Sequence, residues 1–319
     1  MAALTKLLQK EGHSVICSSD KTNKYSRLLA MCHTIIKHRK TTEVVLIDTF
    51  STANFYYALL TSQLARLLAI KYIPILHGGN LPKRLKHSEF LSILIFKYAH
   101  QMVSPSLYLV HEFKRYNFEA LYIPNTIPIA EMPFKLRTVL EPKLLWVRAF
   151  DKIYNPAMAV KVLSLLKATH KNASLCMVGP DKDGSLSQAK ALAKQLGVAE
   201  SVTFTGVLPK EQWHRLSENY DIFINTTNID NMPVSIMEAM ALGLPIVSTN
   251  AGGLPYLIEN GADGLLIHVN DEQQMAEAIV NLLKNPSKAM EMSKKAREKA
   301  ENFDENRVKQ QWHKLLENV

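Results

Sequence analysis

Cysteine is scarce in this chain, with three in 319 residues: Cys17, Cys32 and Cys176. Scattered as they are, they exclude a disulfide framework or a cysteine-built zinc site and fit a reducing compartment. Long apolar runs are also missing. The best candidate, residues 90–103, is broken by Lys97 and His100, and falls short of the roughly 18–20 residues that a membrane span needs. No basic-then-apolar leader opens the sequence, and there is no internal repeat or low-complexity tract. No Gly-x-Gly-x-x-Gly follows any predicted strand, which argues against a dinucleotide-dependent oxidoreductase. Acidic residues are few in the first half. Residues 1–140 hold 18 Lys+Arg against 8 Asp+Glu, a net of +10, whereas the remainder nets −1. Such a basic half suits an anionic membrane face or a phosphate-bearing acceptor. No nucleic-acid recognition motif accompanies it.

What is present is an alternation of short β-rich runs with helical segments, the pattern of parallel α/β layers. In the first half, strands are predicted at 13–17, 43–47, 72–76, 101–103 and 120–123. Helices are predicted at 2–10 (ended by Gly12), at 51–70, across 88–100, and at 105–116 with Ser104 as N-cap and Pro105 at the first helical position. Pro124, Pro128, Pro133 and Pro142 mark a connection. A second alternation follows, with strands at 143–147, 174–178, 201–205, 221–225, 245–248 and 264–267. Helices are predicted there at 156–169, 185–196 and 209–218, and the charged stretch 286–319 reads as helical. The length suits two domains: 1–132, 143–290, and terminal helices over 291–319 that can cross back to the first.

The segment from Asn228 to Gly253 carries the chemistry. Asp230 and Glu238 stand eight positions apart, separated by a polar loop, Pro233 and the helix-forming run 234–242, which Gly243 ends. A helix start presents unpaired N–H groups and the positive end of a dipole, which suits a phosphate. Asp230 then lies in the loop before the anion site and Glu238 about one turn inside the helix. One acid can face a sugar and the other a ribose, with a diphosphate between.

This spacing, continued by Glu238-Ala-Met-Ala-Leu-Gly-Leu-Pro-Ile-Val247 and by Gly252-Gly253, resembles the E-x7-E motif of the retaining glycosyltransferases of family 4, with Asp in place of the first Glu. The resemblance implies an α/β fold of GT-B architecture, two Rossmann-like domains facing across a cleft. It implies transfer of a sugar from a UDP- or GDP-sugar to a glycan or lipid-linked acceptor in surface polysaccharide synthesis. It also implies a cytoplasmic setting at the inner membrane face, with no metal and no other cofactor. His77, beside Gly78 and Gly79, and Asp230 match the family's sugar-facing positions and are the candidate catalytic residues. Arg148 resembles the arginine that neutralises the donor diphosphate, and Tyr154 stands near the expected lysine, for which Lys152 could substitute. Gly179, Met232, Pro233, Val234, Glu238, Gly252 and Gly253 complete the expected donor site. Asp181-Lys182-Asp183 has the form of a D-x-D metal motif but reads as a solvated turn, and Asp48 reads as a cap. The family opens on a strand and glycine loop that this chain lacks. A sugar-nucleotide 2-epimerase and an inactive nucleotide-sugar-binding protein are the alternatives.

Overall fold

A computed structural model describes residues 2–319. The chain divides into two compact units, Met1–Thr126 with Glu305–Val319, and Ile127–Asp304.

The first unit runs α1 (Ala2–Lys10), α2 (Lys24–His38), β1 (Val44–Thr49), α3 (Asn54–Leu67), β2 (Lys71–Leu76), α4 (Leu81–His87), α5 (Glu89–Phe96), β3 (Met102–Ser104), α6 (Leu107–Lys114) and β4 (Ala120–Tyr122). Its sheet is parallel, in the order β1-β2-β3-β4. Side chains alternate across β2. Tyr72 and Leu76 join one core with Phe55, Phe96 and Phe113, while Ile73 and Ile75 join another with Leu7 and Leu8 of α1; this two-sided burial is what a parallel sheet demands.

Three expectations fail here. Residues 13–17 form no strand. A strand needs a neighbour to take its N–H and C=O groups, and this segment pairs with none of the described strands, although Val15 packs on the α1 side of the sheet. The helix expected from Pro105 starts two residues later. Ser106, not Ser104, is the N-cap, and accepts from Tyr108 N at 3.1 Å. Ser104 ends β3, because the residue before a proline is pushed to extended backbone. The helix expected across 88–100 is the shorter α5, 89–96.

The second unit runs β5 (Lys143–Val147), α7 (Pro156–Thr169), β6 (Ser174–Val178), α8 (Ser185–Gln195), β7 (Val202–Gly206), α9 (Lys210–Leu216), β8 (Ile222–Asn225), α10 (Val234–Ala241), β9 (Ile246–Thr249), α11 (Leu254–Leu257), β10 (Leu265–Ile267), α12 (Glu272–Lys284) and α13 (Pro286–Ala300). Its six strands are parallel in the order β10-β9-β8-β5-β6-β7. β5 is central and, after Lys143, apolar. Leu144 and Trp146 face Met158, Val162 and Leu166 of α7, while Leu145 faces the layer that holds Met237 and Ala241 of α10. The strand order reverses beside β5, so the loops after β5 and β8 open side by side at the strands' C-terminal ends, where such sheets place ligands.

The last helix, α14 (Glu305–Leu316), belongs to the first unit. Val308, Trp312 and Leu315 pack with Leu7 and Leu8. Glu11 accepts from Lys309 Nζ at 3.1 Å and pairs with His313 Nε2 at 3.0 Å. The His313 hydrogen bond, then that of Lys309, holds the Glu11 carboxyl below its ordinary value. A depressed carboxyl stabilises the fold above its unfolded pKa, and that stabilisation is lost as pH falls through the folded value. Thermal melts below about pH 4.5 should therefore show the wild type losing the advantage over Glu11→Gln that it holds at pH 6. An equal gap at both pH values would refute the pairing.

Candidate active site

Trp146 and the strand ends around it fix the site in the second unit. Arg148 leaves β5 with its N–H on Val178 O at 3.0 Å. Gly179 follows β6 at φ +150°, and a Cβ there would collide with Arg148 O. No other residue lets the two strand-end loops run so close.

The loop after β8 is held from three sides. Trp146 Nε1 donates to Thr226 Oγ1 at 3.0 Å, and Thr226 Oγ1 donates to Tyr154 O at 2.8 Å. Asn228 N donates to Ile153 O at 2.7 Å, and Thr249 Oγ1 donates to Thr227 O at 2.6 Å. On the third side lie Gly252 and Gly253. Gly253 N donates to Asp230 O at 2.9 Å. A Cβ on Gly252 would strike Asp230 O, and one on Gly253 would strike Asn231 O. The close approach that these glycines permit is thus to the 230–231 backbone.

Held this way, the Asp230 carboxylate forms an ion pair with Arg148, the two side chains being 13% and 15% exposed respectively. The Arg148 guanidinium also lies over the Tyr154 ring, 4.3 Å from its centroid. Burial pulls the guanidinium below its ordinary value and Tyr154 opposes the shift. Met232, Pro233 and Val234 lead from Asp230 into α10, with Pro233 as the N-cap. The first-turn amides of a helix have no partner within it, so they are available to an anion.

Glu238, one turn further, is 3% exposed and accepts from Lys210 Nζ at 2.6 Å. His214 Nε2 lies 3.8 Å from the same oxygen, buried and without a hydrogen-bond partner. Lys210 and His214 are one turn apart on α9, so they present one face to Glu238. That i, i+4 pair is the signal by which both could have been recognised in the sequence.

Lys152 is placed differently from Arg148. Its side chain is exposed, and its backbone is used instead, with its N–H on Asp183 Oδ2 at 3.1 Å and its carbonyl accepting from Asn228 Nδ2 at 3.0 Å. Tyr154 is the neighbour that Arg148 touches. Asp181 and Asp183 serve the turn. Asp181 accepts from Gly184 N at 3.0 Å, and Asp183 accepts from Ser185, whose hydrogen bond holds its carboxyl low. Among the described residues, no group of three His, Cys, Asp or Glu side chains could hold a metal.

His77 lies in the first unit, at the end of β2. Its ring stacks on Phe50, with centroids 5.3 Å apart, and its Nε2 donates to Asp48 Oδ1 at 2.8 Å. Asp48 is therefore no helix cap. It is the penultimate residue of β1, adjacent and parallel to β2, and orients the imidazole. A Cβ on Gly78 would lie 2.8 Å from Ser51 N, which explains glycine after this histidine.

Two parallel α/β units, with an acid–arginine pair beside a loop-to-helix anion site, define a glycosyltransferase of the GT-B type. Comparison with known proteins agrees. Residues 129–299 match the family model of the glycosyl transferases group 1, and the chain belongs to that family. An uncharacterized glycosyltransferase of Haemophilus influenzae is 27% identical over 209 residues, 64% of this chain and 56% of that protein. The amylovoran biosynthesis glycosyltransferase AmsK of Erwinia amylovora is 25% identical over 206 residues, 57% of this chain and 50% of AmsK. The chain thus spans about half the length of these curated relatives. Among solved structures, Anabaena HepE in complex with UDP-glucose superposes with a TM-score of 0.80 at 16% identity, covering 99% of this chain and 89% of HepE.

Proposed function

We propose that this protein is a retaining hexosyltransferase of family 4. It would move a sugar from a UDP- or GDP-sugar to a glycan or lipid-linked acceptor in surface polysaccharide synthesis at the cytoplasmic membrane face. The observation that carries the proposal is the Arg148–Asp230 pair at the entrance to α10, with Glu238 buried behind it. The relatives support the setting, since AmsK is named for amylovoran biosynthesis and the HepE structure holds UDP-glucose.

In this scheme the bond from sugar C1 to the diphosphate oxygen breaks, and its electron pair leaves with the diphosphate. Arg148 and the first-turn amides of α10 stabilise that charge, so no metal is required of the mechanism. The acceptor oxygen bonds to C1 on the face the diphosphate leaves, and its proton passes to a departing phosphate oxygen. Asp230 holds sugar hydroxyls and Glu238 the ribose; His77, its imidazole oriented by Asp48, is the candidate catalytic residue within the first unit.

Isothermal titration in EDTA tests the donor site. UDP or GDP should bind, and Glu238→Gln should weaken binding by at least about 10-fold, the loss of a charge-assisted bond worth ~1.5–3 kcal/mol. Asp230→Asn should bind the bare nucleotide no more weakly than wild type, yet transfer sugar slowly. Binding that requires Mg²⁺, or equal weakening by both variants, would sink this division of roles. Turnover of a nucleotide sugar without any acceptor would identify a 2-epimerase instead, and tight binding with no transfer to any acceptor an inactive binding protein.

A further inference from the structure

Glu238 has two neighbours on α9, and the reaction scheme leaves one of them without a task. Lys210 has one. It donates to Glu238 Oε1 at 2.6 Å and gives a carboxylate that is 3% exposed the cation that burial demands. His214 is the other. Its Nε2 stops 3.8 Å from the same oxygen, too far for a hydrogen bond. Yet the side chain is only 12% exposed, and this buried nitrogen has no hydrogen-bond partner. A polar atom left so weakens a fold, and native structures seldom leave one without a reason.

Loose placement of α9 is not that reason. Trp213 is buried in the core that holds Met237 and Ala241 of α10, and its ring stands edge-on to the His214 ring, with centroids 4.5 Å apart. At the end of α9, Ser217 Oγ donates to His214 O at 2.6 Å, and Ser217 O accepts from Arg137 Nη2 at 2.8 Å. The gap between Nε2 and Glu238 is therefore held open, and its width is informative. One oxygen about 2.8 Å from each atom spans it. That oxygen must carry a proton, because a carboxylate only accepts, and it must also take the Nε2 proton. A hydroxyl does both with a single atom, whereas a phosphate oxygen or a base carbonyl has no proton to give.

We infer that His214 binds the donor nucleotide, sharing one ribose hydroxyl with Glu238, and that it thereby selects ribonucleotides over their deoxy forms. The hydroxyl gives its proton to Glu238 Oε1 and accepts the one on His214 Nε2. This assignment rests on the reading that Glu238 holds the ribose, and it adds a second buried group that goes unpaired whenever the hydroxyl is missing. A site built to bond a hydroxyl rejects the analogue without it far more strongly than a merely roomy site does, because its own polar atoms are then stranded. Two stranded atoms discriminate better than one.

Isothermal titration of the full chain with UDP, 2′-deoxy-UDP and 3′-deoxy-UDP, and with the guanosine series in parallel, is the test. Wild type should prefer the ribonucleotide to one of its two deoxy forms by at least about 10-fold. His214→Phe keeps a ring beside Trp213 and removes the nitrogen. It should bind the ribonucleotide about 10-fold more weakly and that deoxy form as wild type does, so that most of the preference disappears. His214→Gln, which still carries an N–H donor, should keep part of it. Three results would overturn the assignment. If His214→Phe kept the full preference while Glu238→Gln lost it, His214 would be no contact and the ribose reading of Glu238 would stand. If His214→Phe weakened ribo and deoxy forms equally, its part would be packing. If wild type bound all three nucleotides alike, the gap would hold a water, and the ribose reading would fall with the assignment.

Discussion

Arg148→Met should lower the rate of sugar transfer by about 10²–10³-fold at saturating donor, the loss seen when a preorganised charge-stabilising donor is removed. The same change leaves Asp230 buried without its cation, so the melting temperature should fall as well. The two consequences can be separated. In the double variant Arg148→Met with Asp230→Asn, no charge is stranded, and stability should return toward wild type while transfer stays slow. If the double variant recovered turnover together with its melting temperature, Arg148 would be a structural residue and the donor diphosphate would be stabilised elsewhere.

The largest loss of stability is expected from Arg137→Met. This side chain is 3% exposed and donates to five carbonyls. Nε reaches Tyr220 O at 2.7 Å, Nη2 reaches Ser217 O at 2.8 Å, and Nη1 reaches Lys135, Gly243 and Leu242 O at 3.0, 3.0 and 3.3 Å. Burial pushes its pKa down to about 10, against the pull of Asp221, so it remains charged at neutral pH. Removing it strands those acceptors and the nearby Asp221, a loss of about 3–5 kcal/mol, or roughly 6–20 °C in the melting temperature of a unit this size. Arg137→Lys should not restore it, because an ammonium has three donors and no planar fork. Leu242 and Gly243 follow α10 directly, so nucleoside diphosphate affinity should weaken in parallel. Differential scanning calorimetry and titration on the same sample check both. A melting shift below about 1 °C would show that solvent satisfies these groups.

The second unit was legible in the sequence because its strands are apolar on both faces and its helices carry their own stop signals. β5, β6 and α7 lie where the pattern places them, to the residue. Asn155, at φ +50°, caps α7 with Pro156 behind it, which a sequence states almost outright. The positions of Asp230 and Glu238, in a loop and inside a helix, followed from Pro233 and Gly243. Partners were not legible. Arg148 meets Asp230 and Asp48 meets His77 only because particular strands lie side by side, Lys210 meets Glu238 from one helix to another, and spacing along a chain carries neither strand order nor helix packing. Residues 13–17 failed for the same reason, since their alternation fits a strand while the sheet supplies no neighbour. Asp48 was misjudged because a carboxylate before a helix serves equally as a cap or as a histidine partner.

The place of α14 has a consequence for how the protein comes off the ribosome. The second unit is one continuous stretch, 127–304, whereas the first needs both 1–126 and 305–319. Leu7, Leu8, Ile73 and Val103 share their core with Val308, Trp312 and Leu315, which are synthesised after everything between. During translation the earlier-made unit must therefore wait, with part of its apolar core uncovered, while the later-made one can already close. Nascent chains released before residue 305 should be the form of this protein most dependent on chaperones.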